Sequence, residues 1–139
     1  MNPKIWGPSA WLFLHSITLA YPNNPSYDDM NNYRQFFESI KYVLPCDSCK
    51  EHFKENLQKY PLTDRILESK DLLCKWLIDI HNSVNIRTNK KVLTYEQVFD
   101  IYTDIYDENK KNHNLLFLFL SFMLLSVSLL ILYKNITKL

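Results

Sequence analysis

The sequence holds a single glycine, Gly7, in 139 residues. A G-x-G-x-x-G or Walker loop cannot be written with one glycine, so a phosphate cradle built from such a loop is excluded. The same scarcity argues against a fold rich in β-hairpins, whose tight turns use glycine at positive φ. Cysteine is scarce as well. Cys46, Cys49 and Cys74 are an odd set, too few to staple a small secreted domain. No sign of charge dominates: Lys and Arg total 16 against 15 for Asp and Glu. A nucleic-acid partner is therefore not expected, because it would need a basic excess. No segment alternates apolar and polar residues for long, so no strand signal is present. Hydrophobic residues make up 47% and charged ones 22%, which excludes a disordered chain and leaves room for one small packed domain.

Charge is distributed unevenly along the chain. All 15 acidic residues lie within residues 1–114, and beyond them the only charged side chains are Lys134 and Lys138. Between these regions runs Leu115 to Tyr133, with no charge, proline or glycine, and with Ser121, Ser126, Ser128 and Tyr133 as its only polar side chains. As a helix these residues would reach about 28 Å, close to the thickness of a bilayer core. Serine hydroxyls can bond back to helix carbonyls, so they are compatible with that setting. A helix apolar on every side needs either a large protein or a lipid around it, and the remaining residues are too few to cover it. The expectation is a membrane span at residues 115–133. The N-terminal region makes a poor signal peptide, because Trp6, Trp11 and His15 interrupt its apolar stretch. A single-pass tail anchor follows, with its head on the cytosolic side of a membrane.

The head reads as helices. Pro8 suits a first helical position, and Trp11, Leu12, Leu14, His15, Thr18 and Leu19 follow at helical spacing until Tyr21-Pro22. Ser26 and Asp29 form a capping-box pattern ahead of Met30, Tyr33, Phe36, Phe37, Ile40 and Leu44, and Pro45 ends that helix. A third helix is expected from Cys46 to Tyr60, with Cys49, Phe53 and Leu57 one turn apart. A fourth spans about Ser69 to Thr88 with Leu73, Trp76, Leu77, Ile80 and Val84 as its stripe. Thr94 and Gln97 cap a last one. The expected fold is all-α: a small bundle of four or five helices over 1–106, a polar tether 107–114, the transmembrane helix 115–133 and a short tail 134–139.

Cys46-Asp47-Ser48-Cys49 is the sharpest chemical signal. Two cysteines three apart at a helix start can reach each other, and the N–H groups and positive dipole end there stabilise a thiolate. That suits thiol–disulfide exchange. Spacing alone also admits half of a zinc site completed by His52, Cys74 or His81, or a structural role. The zinc reading would make the chain a tail-anchored zinc-binding adaptor. Cys74, on the fourth helix near its stripe, reads as a buried, inert thiol. The second signal is His81-Asn82-Ser83-Val84-Asn85, which places His81 and Asn85 on one helix face. Such a group is either a solvated face or a set of polar contacts around a ligand held in an apolar bundle. His15, one turn after Trp11, is equally open to a core role or a ligand role.

Trp6-Gly7-Pro8 with Trp11 and His15, then Tyr21-Pro22, Cys46-x-x-Cys49, Trp76, His81-Asn82-x-Val84-Asn85 and Lys90 occur in order. This series resembles the FAD-linked sulfhydryl oxidases of the Erv/ALR family over about residues 4–106. The resemblance implies a helical bundle holding FAD, with no metal, and a redox disulfide between Cys46 and Cys49 beside the flavin. It also implies that Gly7, Trp11, His15, His81, Asn82, Asn85 and Lys90 bind the cofactor. Trp11 and His15 would line the flavin, and His81, Asn82, Asn85 and Lys90 would surround the adenine, ribose and phosphates. The implied activity oxidises thiols of protein substrates, or of a partner redox protein, to disulfides and passes the electrons through FAD to oxygen, giving hydrogen peroxide. Family members commonly form homodimers.

Three departures from the family pattern are visible. Pro8 stands where members often carry Arg. Leu72 and Tyr95 stand where many have a second disulfide. No shuttle cysteine pair exists, so a substrate has to reach Cys46 directly. This stripped-down build resembles the members encoded by large DNA viruses.

Overall fold

A computed structural model describes residues 1–107, 117–126 and 128. Every regular element among them is helical: α1 (Pro3–Leu19), α2 (Tyr27–Val43), α3 (Asp47–Lys59), α4 (Asp64–Leu67), α5 (Lys70–Arg87) and α6 (Tyr95–Tyr106). The chain divides into two compact units, Met1–Tyr95 and Glu96–Leu139.

The first helix begins earlier than its sequence suggests. The Asn2 side chain accepts the Lys4 N–H at 3.0 Å, and Pro3, not Pro8, takes the first position. Pro8 lies inside the helix, where its missing N–H removes one rung of the ladder. Gly7 eases the passage, because the clash that normally drives the residue before a proline out of helical geometry involves a Cβ that glycine lacks. Elsewhere the local signals hold. Ser26 and Asp29 form a reciprocal capping box on α2. Leu44 ends that helix in extended geometry (ψ 135°) ahead of Pro45. Cys46 and Ser69 accept the N-cap bonds of α3 and α5, and α6 starts directly after Thr94.

In the first unit, α5 packs against α1, α3 and α4, while α2 packs against α3 and α4. Leu73, Trp76, Leu77 and Ile80 of α5 are buried with Phe37 and Ile40 of α2, Phe53 of α3 and Leu67 of α4. The expected stripe on this helix is therefore its core face, except that Val84 is only half-buried. Buried polar tips find carbonyls: the Tyr21 hydroxyl donates to Leu67 O at 2.7 Å and the Trp76 indole donates to Tyr60 O at 2.9 Å. Cys74 is buried and unpaired in any disulfide, and burial pushes its thiol pKa up. The short α4 has no counterpart in the sequence reading.

In the second unit, residues 117–126 are helical. The hydroxyls of Ser121, Ser126 and Ser128 donate to carbonyls three residues back, at 2.7–2.8 Å. Among the described residues no helix is long and apolar enough to cross a membrane. The expected span 115–133 includes residues 115, 116, 127 and 129–133, which lie outside the described residues, as do 108–114 of the tether and the tail 134–139.

Candidate redox and cofactor site

Two clusters carry the chemistry, one at the start of α3 and one between α1 and α5. Pro45 forces the chain out of α2 and leaves Cys46 in extended geometry at the N-cap of α3. From there its sulfur accepts the Cys49 N–H at 3.3 Å and lies 3.2 Å from Ser48 Oγ. Cys46 and Cys49 form a disulfide, with Cα atoms 5.1 Å apart. Both are half-buried, so the bond is reachable from outside while Phe53, one turn on, enters the core. When the disulfide opens, the N–H and the helix dipole that meet Cys46 stabilise its thiolate. The Met1 backbone nitrogen donates to Pro45 O at 2.9 Å, which brings the start of α1 to this junction.

The second cluster joins residues 66 positions apart in sequence. His15 Nε2 and His81 Nδ1 are 3.0 Å apart, and the Trp11 ring stacks on His81 with centroids 3.9 Å apart and planes 7° from parallel. One imidazole must donate and the other accept, so the pair requires at least one neutral ring. Burial, and then the neighbouring His81, lowers the pKa of His15 to about 3. Burial, and then the charge of Lys90, lowers that of His81 to about 4. Both are neutral at physiological pH, presenting polar nitrogens without charge inside an apolar bundle.

The remaining expected residues are placed differently from one another. Asn85 is buried, and its carbonyl accepts the Lys90 N–H at 2.7 Å. Asn89 takes a positive φ of 55° to make that turn. Both ends of the Asn82 amide are used by Leu93: Nδ2 donates to its carbonyl at 2.8 Å and Oδ1 accepts its N–H at 3.1 Å. Asn82 therefore builds the loop that carries Lys90, which is itself exposed. Gly7 is half-buried, with open space where a Cβ would stand.

Two residues escaped the sequence reading of the site. Among the described residues the buried Trp6 indole N–H has no partner, and neither has Nδ2 of Asn56, whose Oδ1 accepts the Ser83 hydroxyl at 2.8 Å. A buried donor without an acceptor is costly. Trp6 directly precedes Gly7 on α1, and an acceptor group of a ligand would satisfy its indole. The tryptophan of W-G-P was the available signal for Trp6; Asn56, inside an amphipathic helix, gave none.

These residues fit FAD: an orphaned indole donor, an uncrowded glycine, an aromatic platform with neutral imidazoles and a lysine on the adjoining loop. They do not fit zinc. Cys46 and Cys49 are bonded to each other, and among the described residues no group of three His, Cys, Asp or Glu side chains could hold a metal ion. An open cleft of about 330 Å³ between α2 and the end of α3, lined by Glu38, Lys41, Lys54 and Leu57, contains neither cluster.

Comparison with known proteins agrees with this chemistry. A viral protein of Acanthamoeba polyphaga mimivirus, named "Probable FAD-linked sulfhydryl oxidase", is 44% identical over 119 residues, covering 85% of this chain and 83% of its own length. The FAD-linked sulfhydryl oxidase of African swine fever virus is 31% identical over 103 residues, covering 70% and 79%. In structure, the FAD-binding domain of Erv1 from Saccharomyces cerevisiae superposes with a TM-score of 0.69 at 25% identity, covering 77% of this chain and 99% of that domain. The Erv1/Alr family model matches residues 8–104, and the chain belongs to that family.

Proposed function

We propose that this protein is a FAD-dependent thiol oxidase that makes disulfides in protein substrates. The observation that carries the reading is the Cys46–Cys49 disulfide at the N-terminus of α3, in a chain of the Erv1/Alr family. A substrate thiolate attacks Cys46 Sγ. The bond to Cys49 breaks, Cys49 leaves as a thiolate, and a mixed disulfide forms. A second substrate thiolate then attacks the substrate sulfur of that mixed disulfide, releasing Cys46 as a thiolate on the Cys49 N–H. The substrate leaves oxidised, and the protein holds the electron pair as two thiols. When bound, FAD would supply the acceptor for that pair and oxygen its final sink as hydrogen peroxide, while the two thiols lose their protons and the Cys46–Cys49 bond re-forms.

The cofactor would be held by Trp11, His15 and His81 as an aromatic and hydrogen-bonding platform, with Gly7 leaving room. Asn85 and Lys90 would be presented by the loop that Asn82 closes, and Trp6 would supply a further donor. Cys46 is assigned the attack by substrate because its sulfur is the N-cap of α3. Cys49 is assigned the transfer toward flavin because it leads the face continued by Phe53 and Leu57. Purified protein should be yellow and should consume oxygen when given a dithiol. Colourless protein that leaves dithiols unoxidised would refute the assignment.

The uncharged run 115–133 supports a membrane span, and the viral relatives support a host or virion membrane; we assign the head, residues 1–106, to its cytosolic side. Exposed Leu12 and Phe13 on α1 support a homodimer. Deleting 115–139 should move the protein from the membrane to the soluble fraction with flavin and dithiol oxidation intact. Loss of flavin on that deletion would mean that the segment packs on the bundle.

A further inference from the structure

One buried polar group takes no part in the thiol exchange. Asn56, on α3, is 3% exposed, and its Oδ1 accepts the hydroxyl of Ser83 on α5 at 2.8 Å. Its Nδ2 has no partner among the described residues. Asn is a poor helix former, and an unpaired buried donor is costly. Leucine has the same branching and would remove both penalties if α3 needed only packing there. Arg87 and Glu55, 2.6 Å apart, already tie α5 to α3 one turn beyond Ser83, so holding the two helices together leaves the amide unexplained.

Helix geometry shows what lies near this donor. Successive residues turn by about 100°, so His81 and Ser83 stand on opposite flanks of α5. His81 meets Trp11 and His15 of α1 on one flank, and Ser83 meets Asn56 of α3 on the other. Val84 lies on the arc between them, in line with Leu77 and Ile80. Those two are fully buried, yet Val84 is only half-buried. An apolar floor between the α1 flank and the α3 flank is thus left uncovered. On α3, Cys49, Phe53 and Asn56 recur at helical spacing along one side. The side of α3 that carries the unpaired donor is therefore the side that carries Cys49.

We propose that the Asn56 amide, anchored by Ser83, donates its free Nδ2–H to an uncharged acceptor atom of the isoalloxazine ring of FAD. The proposal rests on the FAD-dependent reading and adds a contact to it. The ring is favoured over the diphosphate on charge. Asn56 and Ser83 are neutral, and the neighbouring cation, Arg87, is held by Glu55, whereas a buried phosphate needs a compensating charge. A planar, uncharged ring suits an apolar floor with a few polar groups at its edge. Reduction puts electron density on the ring's acceptor atoms, and a hydrogen bond strengthens as its acceptor gains charge. The amide therefore favours the reduced ring over the oxidised one, while it exchanges no proton or electron itself.

The test uses full-length protein in detergent, with FAD as the probe. Asn56→Leu/Ser83→Ala removes both polar partners together, a change that is close to neutral when the pair serves structure alone. Without added FAD, its thermal midpoint should match or exceed that of the wild type. Its Kd for FAD, read from flavin fluorescence, should rise about 10-fold, as the loss of one hydrogen bond gives. The reduction potential of the bound flavin, measured against a reference dye, should become more negative. Ser83→Ala keeps the donor and removes only its anchor, so it should weaken FAD binding less than the double variant does. Unchanged FAD affinity in the double variant would overturn the proposal, because the donor would then reach only water. So would a double variant that is less stable than the wild type without FAD, or that fails to fold, since the amide would then be structural. Equal losses of FAD affinity in the two variants would place the effect in the α3–α5 link, and an unmoved potential would place the contact on the diphosphate half; either result would also overturn it. A wild type that binds no FAD would instead overturn the FAD-dependent reading.

Discussion

At the residue scale, the local part of the site was legible and the long-range part was not. Proline followed by C-x-x-C places a sulfur at a helix N-cap by local geometry alone, and Cys46 is found there. The bond between His15 and His81 depends on the packing of α1 against α5, which no short motif encodes. The same holds for Asn82, whose amide is used by a loop residue eleven positions on. The histidine pair has a pH consequence. Both folded-state pKa values lie below the ordinary value of 6.5, so below that pH the unfolded chain binds protons that the folded one refuses. Stability is then complete above pH 6.5 and falls as the pH drops toward 4. The loss is on the order of a few kcal/mol for a mostly buried pair. Thermal unfolding between pH 7 and 4 should show this slope, and His81→Ala should flatten it and release FAD from folded protein. An unchanged slope and full flavin occupancy in that variant would contradict the role given to the pair.

At the element scale, caps and proline stops carried most of the reading. The Ser26–Asp29 box and the break at Pro45 each act within one turn, and the helices follow them. The first helix was misplaced because two prolines competed for its start. Asn2 supplies the cap for Pro3, whereas Pro8 has glycine before it and the helix continues through both. The four residues of α4 are too few for a period to show. The loop after α5 offers the element-level prediction. Asn82→Ala removes two hydrogen bonds to Leu93, which should lower unfolding stability by about 1–3 kcal/mol. It should also weaken FAD binding through the freed Lys90 loop. Chemical denaturation with and without added FAD reads both effects, and equal losses under the two conditions would separate Asn82 from the cofactor.

At the scale of the whole molecule, an all-helical bundle was legible because the strand signals and glycine turns are absent. Its packing order, with α5 against α1, α3 and α4, was not, because several helix pairings satisfy the same stripes. The order matters for function: α5 contacts both the helix that carries the disulfide and the helix that carries Trp11 and His15. The central claim is that Cys49 faces a flavin held by this bundle while Cys46 faces the substrate. The most direct measurement is the visible spectrum of Cys46→Ser, which leaves Cys49 as a free thiol. A long-wavelength charge-transfer band that fades on acidification, and that is missing from Cys49→Ser, is the predicted result. A band in Cys49→Ser instead, or a band in neither protein while flavin is bound, would contradict the account.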